Sequence, residues 1–173
     1  MKEKVISDVI SQKHYPRSIL YGELGEAIFR FYAYHKHWWY VSSVFFINTL
    51  IGYRRNLQRY GNLNKWKPDN ETRSFVEGLK SYHEFFWQNC VRPPRSGNPD
   101  LRYWVPKKGL PDYLVCKWTP KAVYFFVEVK TEKSKLSKIQ KELFKILAEH
   151  FSIYIFTADL PEDLEIKIQL EKL

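Results

Sequence analysis

The clearest hydrophobic patterns lie in the C-terminal half of the chain. Short apolar runs bounded by polar or turn residues predict three strands, over residues 113–118, 122–130 and 152–157. A tight turn around Pro120 joins the first two strands, which should therefore be antiparallel. An amphipathic helix predicted over 136–150 joins the last two, which should therefore be parallel. The pattern predicts an α/β fold with a mixed central sheet flanked by helices.

The N-terminal half is dominated by helical spacing. A helix is predicted over 18–37, with an apolar stripe at Leu20, Leu24, Ala27, Ile28 and Phe31. A second helix is predicted over 72–89. Between them, residues 38–51 fit either a strand or a helix, because they combine β-branched and aromatic residues with sufficient length for a helix.

Charge restricts the class of partner. The net charge is +9 and the pI is about 9.4, which favours a polyanion, either nucleic acid or an anionic membrane. The longest apolar run, residues 41–51, is about half the ~20 residues that a spanning helix needs, so we expect no membrane partner. Residues 1–10 lack the apolar stretch of a secretory signal, and two cysteines make no disulfide framework. We therefore expect a cytoplasmic protein with both cysteines buried.

Two charged residues at the end of an apolar strand suggest chemistry. The run Val123–Val127 continues into Glu128-Val129-Lys130, although lone charges are rarely buried in a strand. Strand side chains alternate, so Glu128 and Lys130 should share one face. Folding the preceding strand back through the turn brings Asp112 close to Glu128.

Two neighbouring carboxylates predict a metal site. With the backbone carbonyl of Val129, Asp112 and Glu128 would form a hard oxygen site suited to Mg²⁺ or Mn²⁺. Such a cation lowers the pKa of a bound water and polarises a phosphate oxygen, and Lys130 would orient or deprotonate that water. The simpler alternative is an ion pair between Glu128 and Lys130 at the strand end.

A second Pro-Asp pair, Pro99-Asp100, could in principle supply the first carboxylate. It follows a proline-rich loop and precedes a strand-like run. Its distance of 28 residues from Glu128 is too long for a simple hairpin, so we favour Asp112.

The ordered set Pro111-Asp112, hairpin, Glu128-Val129-Lys130 resembles the PD-(D/E)XK nuclease superfamily. Gly109-Leu110-Pro111-Asp112 and the helix residue Gln140 make it most similar to the VRR-NUC branch and the archaeal Holliday-junction resolvases. The resemblance covers residues 109–157 and implies a restriction-endonuclease-like core and a metal-dependent nuclease, most simply a DNA endonuclease. It assigns catalytic roles to Asp112, Glu128, Lys130 and Gln140, and it implies a homodimer.

The family also implies an acid on the first helix. Gly22-Glu23-Leu24-Gly25-Glu26 resembles an opening that favours Glu26. Helix geometry, at about 100° per residue, places Glu23 nearer the predicted apolar stripe. We prefer Glu26, and Glu23 is the alternative.

The chain departs from the family in the long segment before Asp112. We expect one nuclease domain over 1–173, with its core at 17–37 and 109–158 and a largely helical, aromatic-rich insertion at 38–108. Nucleic-acid contacts are expected from basic residues on both sides of this division: Lys133, Lys135, Lys138, Arg54 and Arg55. The alternative function is a catalytically inactive nucleic-acid-binding module on the same fold.

Overall fold

The structure is a computed structural model that describes residues 6–11, 17–94, 96, 99–131, 134–158, 160 and 165–170. Across these residues the α-helices are α1 (Arg17–His35), α2 (Ser43–Tyr60), α3 (Asn70–Gly78), α4 (His83–Cys90) and α5 (Lys138–Leu147). The strands are β1 (Ile6–Ser11), β2 (Trp39–Ser42), β3 (Val91–Arg92), β4 (Val105–Pro106), β5 (Tyr113–Thr119), β6 (Lys121–Thr131), β7 (Ser152–Ala158) and β8 (Glu165–Leu170). Short 3-10 helices span Lys80–Tyr82 and Leu101–Tyr103.

The central sheet has the strand order β2-β5-β6-β7. β5 is antiparallel to both β2 and β6, whereas β6 and β7 are parallel and are joined through α5. The predicted mixed sheet, its hairpin and its parallel pair are therefore confirmed. β1 pairs with β8, and β3 with β4, in two small antiparallel sheets.

Helices cover both faces of the central sheet. α1 packs on one face, where Phe29 and Ala33 join Tyr113, Val115, Phe125 and Val127 in one apolar cluster. The other face belongs to a larger cluster, built from α2, α3, α4 and α5 together with Leu114, Cys116 and Phe126 of the sheet. Because strand side chains alternate, each strand of the hairpin contributes to both clusters.

The apolar stripe predicted for α1 is wrong over most of its length, although its first residue, Leu20, is buried. Ile28 and Phe31 are exposed, by 40% and 65%, and the face that meets the sheet carries Tyr21, Gly25, Phe29 and Ala33 instead. The sequence is ambiguous because α1 has large apolar residues on more than one face. Packing against the sheet decides between the faces.

Two N-terminal predictions are refined by the structure. Residues 38–51 contain both of the predicted alternatives, since β2 ends at Ser42 and α2 begins at Ser43. The helix predicted over 72–89 is interrupted, because α3 ends at Gly78 and the 3-10 helix Lys80–Tyr82 precedes α4. β2 pairs with β5, so the segment predicted as an insertion contributes a strand to the central sheet.

The almost wholly apolar run at 122–130 and the apolar run at 152–157 predict buried strands, and this prediction is only partly correct. In β6 only the four consecutive residues Phe125–Glu128 are buried, whereas Val123 is 49% exposed. β7 was expected to be buried, yet Tyr154 and Ile155 are exposed, because β7 has a neighbour on only one side within the described sheet. Helical spacing over 136–150 predicts an apolar stripe at Leu136, Ile139, Leu143, Ile146 and Leu147. Of these residues, Ile139 is exposed on α5.

Cys90 and Cys116 are free and buried, as predicted. Among the described residues, no helix combines the length and the apolar character that crossing a membrane requires.

Candidate active site

The β5–β6 hairpin brings the two predicted carboxylates together. Tyr113 pairs with Val127, so the next position along the register places Asp112 opposite Glu128. Asp112 Oδ2 accepts a hydrogen bond from the backbone N–H of Val129 at 2.7 Å. The carboxylate of Asp112 thus extends the hydrogen bonding between β5 and β6 by one residue beyond the start of β5.

Glu128 is the most unusual side chain of the sheet. It is only 1% exposed although it is a carboxylate. Its Oε1 pairs with Nζ of Lys130 at 2.5 Å and accepts a hydrogen bond from Nε2 of Gln140 at 2.5 Å. Its Oε2 is buried and has no hydrogen-bond partner among the described residues. A buried carboxylate oxygen without a donor is unfavourable, which indicates that another positive group belongs there.

Gln140 is positioned by the N-terminus of α5. Ser137 is the N-cap, and its hydroxyl accepts from the backbone N–H of Gln140 at 3.2 Å. The side-chain oxygen of Gln140 in turn accepts from the backbone N–H of Ser137 at 3.0 Å, which completes a capping box. Because that oxygen is held by the cap, the amide nitrogen is directed to Glu128.

Two glycines allow helices to approach the strand end. Gly109 has a φ of +85°, and a Cβ there would lie 2.9 Å from Ile139 Cγ2 and 3.2 Å from the backbone N of Gln140. A Cβ on Gly25 would lie 3.3 Å from Cγ1 of Val129. The first glycine lets the loop before Asp112 pack against α5, and the second lets α1 pack against β6.

α1 contributes Glu26 to the same region. Tyr113, which lies next to Asp112, donates its hydroxyl hydrogen to Glu26 Oε2 at 2.7 Å. Glu23 is exposed on the helix, whereas Glu26 is partly buried beside the sheet. The structure therefore brings Glu26, rather than Glu23, to the carboxylates at the strand end.

The carboxylates influence one another electrostatically. The pKa of Asp112 is raised to about 6, chiefly by burial and further by the negative charges of Glu128 and Glu26. The N–H of Val129 and the ammonium of Lys130 oppose this rise. The pKa of Tyr113 is also raised above its ordinary value, by burial and by its hydrogen bond to Glu26. The positive charge of Lys130 is thus too small to balance the negative charges of the carboxylates around Asp112.

The donor set fits a hard divalent cation. No cluster of three or more His, Cys, Asp or Glu side chains arranged for a metal occurs within the described ranges. The expected set, however, has two carboxylates and the Val129 carbonyl. In an antiparallel pair the N–H and the C=O of one residue point to the same neighbouring strand. Because the N–H of Val129 points to Asp112, its C=O should also point to the edge of β6 that faces Asp112. The buried, unpartnered Oε2 of Glu128 is the second feature that a cation would satisfy.

Comparison with protein families decides the relationship. A model of the VRR-NUC domain matches residues 50–159, which is more than half of the chain. The chain belongs to the VRR-NUC family. The VRR-NUC domain is a PD-(D/E)XK-like nuclease domain, so membership implies a nuclease-type function with nucleic acid as substrate. The matched region includes Asp112, Glu128, Lys130 and Gln140, and it begins after Glu26.

Comparisons of this VRR-NUC chain with curated proteins and with solved structures give no match.

The predicted nucleic-acid-binding residues of the VRR-NUC chain are dispersed. Lys138, the first residue of α5, and Lys135, which precedes its N-cap, are exposed. Lys133 lies outside the described residues. Arg54 is paired with Glu84, and its guanidinium lies 4.4 Å from the ring centroid of Trp87. Arg55 donates to the backbone oxygen of Leu101 at 3.5 Å.

Sequence reasoning missed two residues of the VRR-NUC site. Ser137 was not singled out, although Ser-x-x-Gln before an apolar run is the signature of a capping box. Tyr113 gave no local signal, because its partner Glu26 is 87 residues away.

Proposed function

We propose that the protein is a divalent-metal-dependent nuclease that hydrolyses phosphodiester bonds in DNA, most simply as an endonuclease. The observation that carries this proposal is Glu128, a carboxylate that is 1% exposed and has one unpartnered oxygen. It lies opposite Asp112 in a chain of the VRR-NUC family. A lone ion pair with Lys130 accounts for only one of the two oxygens of Glu128. The net charge of +9 supports a polyanionic substrate.

In this proposal Asp112, Glu128 and the Val129 carbonyl would hold Mg²⁺ or Mn²⁺. The bound cation would supply Lewis-acid activation of the attacking water and would neutralise charge on the phosphate. Lys130, whose ammonium is ion-paired with Glu128, would orient the attacking water and stabilise negative charge that develops on the phosphate oxygens.

Two further residues would act on these carboxylates. Gln140 fixes the orientation of Glu128 through the hydrogen bond between Nε2 and Oε1. Glu26, held by Tyr113, adds a third acid at the α1 side of the site. The exposed side chains of Lys135 and Lys138 would contact DNA phosphates next to the candidate active site. A homodimer, which the family resemblance implies, stays a prediction.

The test is cleavage of labelled linear, nicked, flap and four-way-junction DNA in Mg²⁺, Mn²⁺ or EDTA. Glu128→Gln should lower the rate by at least about 100-fold, on the order of 3 kcal/mol in transition-state stabilisation. Glu26→Gln should lower the rate as well. Glu23→Gln is the matched control, because it removes an acid from the same helix at an exposed position.

The outcomes separate the two candidate functions. Metal-dependent cleavage that Glu128→Gln abolishes, with DNA binding retained, supports the nuclease. Cleavage by Glu128→Gln at the wild-type rate would contradict the assignment. Salt-sensitive DNA binding by the wild-type protein without cleavage in any metal would instead favour the inactive binding module.

A further inference from the structure

An arginine-lined cavity lies between α2 and the 3-10 helix Leu101–Tyr103. It does not include the candidate active-site residues Asp112 and Glu128. It has a volume of about 300 Å³. Polar or charged residues make up all but one of its described lining residues, which are Arg55, Gln58, Arg59, Asp100, Leu101 and Arg102. Three arginines and one carboxylate leave an excess of two positive charges, so the cavity is suited to an anion.

The rejected Pro99-Asp100 pair has a structural role in this cavity. Asp100 Oδ1 accepts from the backbone N–H of Arg102 at 2.9 Å and caps the 3-10 helix. Asp100 Oδ2 accepts from Nε of Arg102 at 2.7 Å and pairs with Nη2 at 2.6 Å. Asp100 therefore fixes the guanidinium of Arg102 beside the cavity and compensates one of the three positive charges.

The other two arginines come from successive turns of α2. Arg55 is partly buried and donates from Nη2 to the carbonyl of Leu101, while its buried Nε has no hydrogen-bond partner within the described part of the chain. Arg59 is exposed, with its guanidinium 5.4 Å from the ring centroid of Tyr60. The positive charge of Arg55 also lowers the pKa of Asp100, which lines the same cavity. Guanidinium groups present several donors in one plane, which matches the oxygens of a phosphate.

α2 connects this cavity directly to the carboxylate site. Its first residue, Ser43, donates its backbone N–H to the carbonyl of Asp112 at 3.0 Å. Arg55 and Arg59 lie 12 and 16 residues further along the helix. At 1.5 Å per residue they are about 18 and 24 Å from that end. At roughly 3.4 Å per base pair, this corresponds to about five to seven base pairs of duplex.

We propose that Arg55, Arg59 and Arg102 form a second DNA-binding site, which holds a backbone phosphodiester several base pairs from the bond that is cut. The inference rests on the proposed function, since it takes DNA as the substrate. It adds an anchor that orients the duplex along α2 and takes no part in the hydrolysis.

The experiment measures binding of a fluorescent duplex in EDTA over a range of salt concentrations. The duplex carries 5′-hydroxyl ends, so that every phosphate it presents is internal. Arg59→Gln combined with Arg102→Gln should raise the Kd about 10-fold at low salt. It should also reduce the slope of log Kd against log salt by about one, because one phosphate contact is lost. Both side chains are exposed, so the fold should be retained.

Arg55→Gln provides a second, independent variant, with Lys121→Gln as its control. Lys117→Gln combined with Lys121→Gln is the control for the double variant, because it removes two positive charges from exposed positions on the hairpin. The inference is overturned if each arginine variant changes the Kd and the salt slope no more than its lysine control does.

The result separates this inference from the proposed function. A protein that cuts DNA with metal but is insensitive to the arginine substitutions keeps the nuclease and loses the second site. A wild-type protein that neither binds DNA in a salt-sensitive way nor cuts it in any metal overturns both.

Discussion

Gln140 donates a hydrogen bond from Nε2 to Oε1 of Glu128 at 2.5 Å, while its own side-chain oxygen completes the capping box of α5. A glutamate could serve the cap equally well, but it would place a second carboxylate against Glu128. Only the amide can accept from Ser137 and donate to Glu128 simultaneously. The start of a helix and the orientation of a candidate metal ligand therefore depend on one side chain.

The capping box makes Ser137 a positioning residue. Ser137→Ala should cost about 1 kcal/mol of stability through loss of the N-cap. It should also slow DNA cleavage several-fold, because Gln140 is less firmly held. The measurements are the thermal unfolding temperature and the single-turnover cleavage rate.

A second helix supplies the control for this prediction. Asp69 caps α3 by accepting from the backbone N–H of Thr72 at 2.8 Å. Asp69→Ala should lower stability by a similar amount and leave the cleavage rate unchanged. Equal cleavage rates in Ser137→Ala and Asp69→Ala would show that the cap has only a structural role.

The hydroxyl of Tyr113 should matter through Glu26. Tyr113→Phe removes one hydrogen bond, worth about 1 kcal/mol, and frees the carboxylate of Glu26 to move. We expect slower cleavage and a higher Mg²⁺ concentration for half-maximal rate. Tyr40→Phe is the control, because Tyr40 packs 5.6 Å from the ring of Tyr113 on the same sheet face. If Tyr113→Phe requires the same Mg²⁺ concentration for half-maximal rate as the wild-type protein, the position of Glu26 does not affect metal binding.

Asp112 should make the metal-free protein less stable as the pH rises. Its pKa is about 6 in the folded protein, above the ordinary 3.8, so the folded state binds more protons between these values. Stability is therefore lost as the pH rises from about 4 to about 6. Asp112→Asn, whose carbonyl can still accept from Val129, should abolish this loss and gain on the order of 1–2 kcal/mol at pH 7.

Chemical denaturation in EDTA at pH 4, 5, 6 and 7 measures this effect. Added Mg²⁺ should stabilise the wild-type protein at pH 7 and should stabilise Asp112→Asn much less. If Asp112→Asn has the same pH dependence as the wild-type protein, the burial of Asp112 does not govern this part of the profile.

Gly109 should be intolerant of a side chain for two reasons. Its φ is positive, and an added Cβ would meet Ile139 and Gln140 at the start of α5. Gly61, at a φ of +66°, has no described residue within 4 Å of an added Cβ and so isolates the backbone effect. Gly109→Ala should therefore lose more stability than Gly61→Ala, which should lose about 1 kcal/mol.

The Gly109 substitution should also act on the candidate site. Displacement of α5 would weaken the contact between Gln140 and Glu128, so cleavage by Gly109→Ala should fall, whereas Gly61→Ala should cut normally. Unfolding and single-turnover cleavage measure the two effects. Similar losses of stability in both variants would mean that α5 moves aside at little cost.

The sequence by itself determined the features that depend on local pattern. A short turn between two apolar runs fixed the hairpin, and the hairpin register brought Asp112 opposite Glu128. Strand alternation placed Glu128 and Lys130 on one face, where they form an ion pair. The helix between β6 and β7 made those strands parallel. Each of these follows from residues close together in the chain.

Only the tertiary structure decided which distant side chains meet. α1 has apolar residues on several faces, so its packing on the sheet, and not its periodicity, brought Glu26 to Tyr113. The arginine cavity joins α2 to a loop more than 40 residues later, where no local pattern connects them. Such contacts depend on how whole elements pack, because the free energy that selects them comes from burial across the entire core.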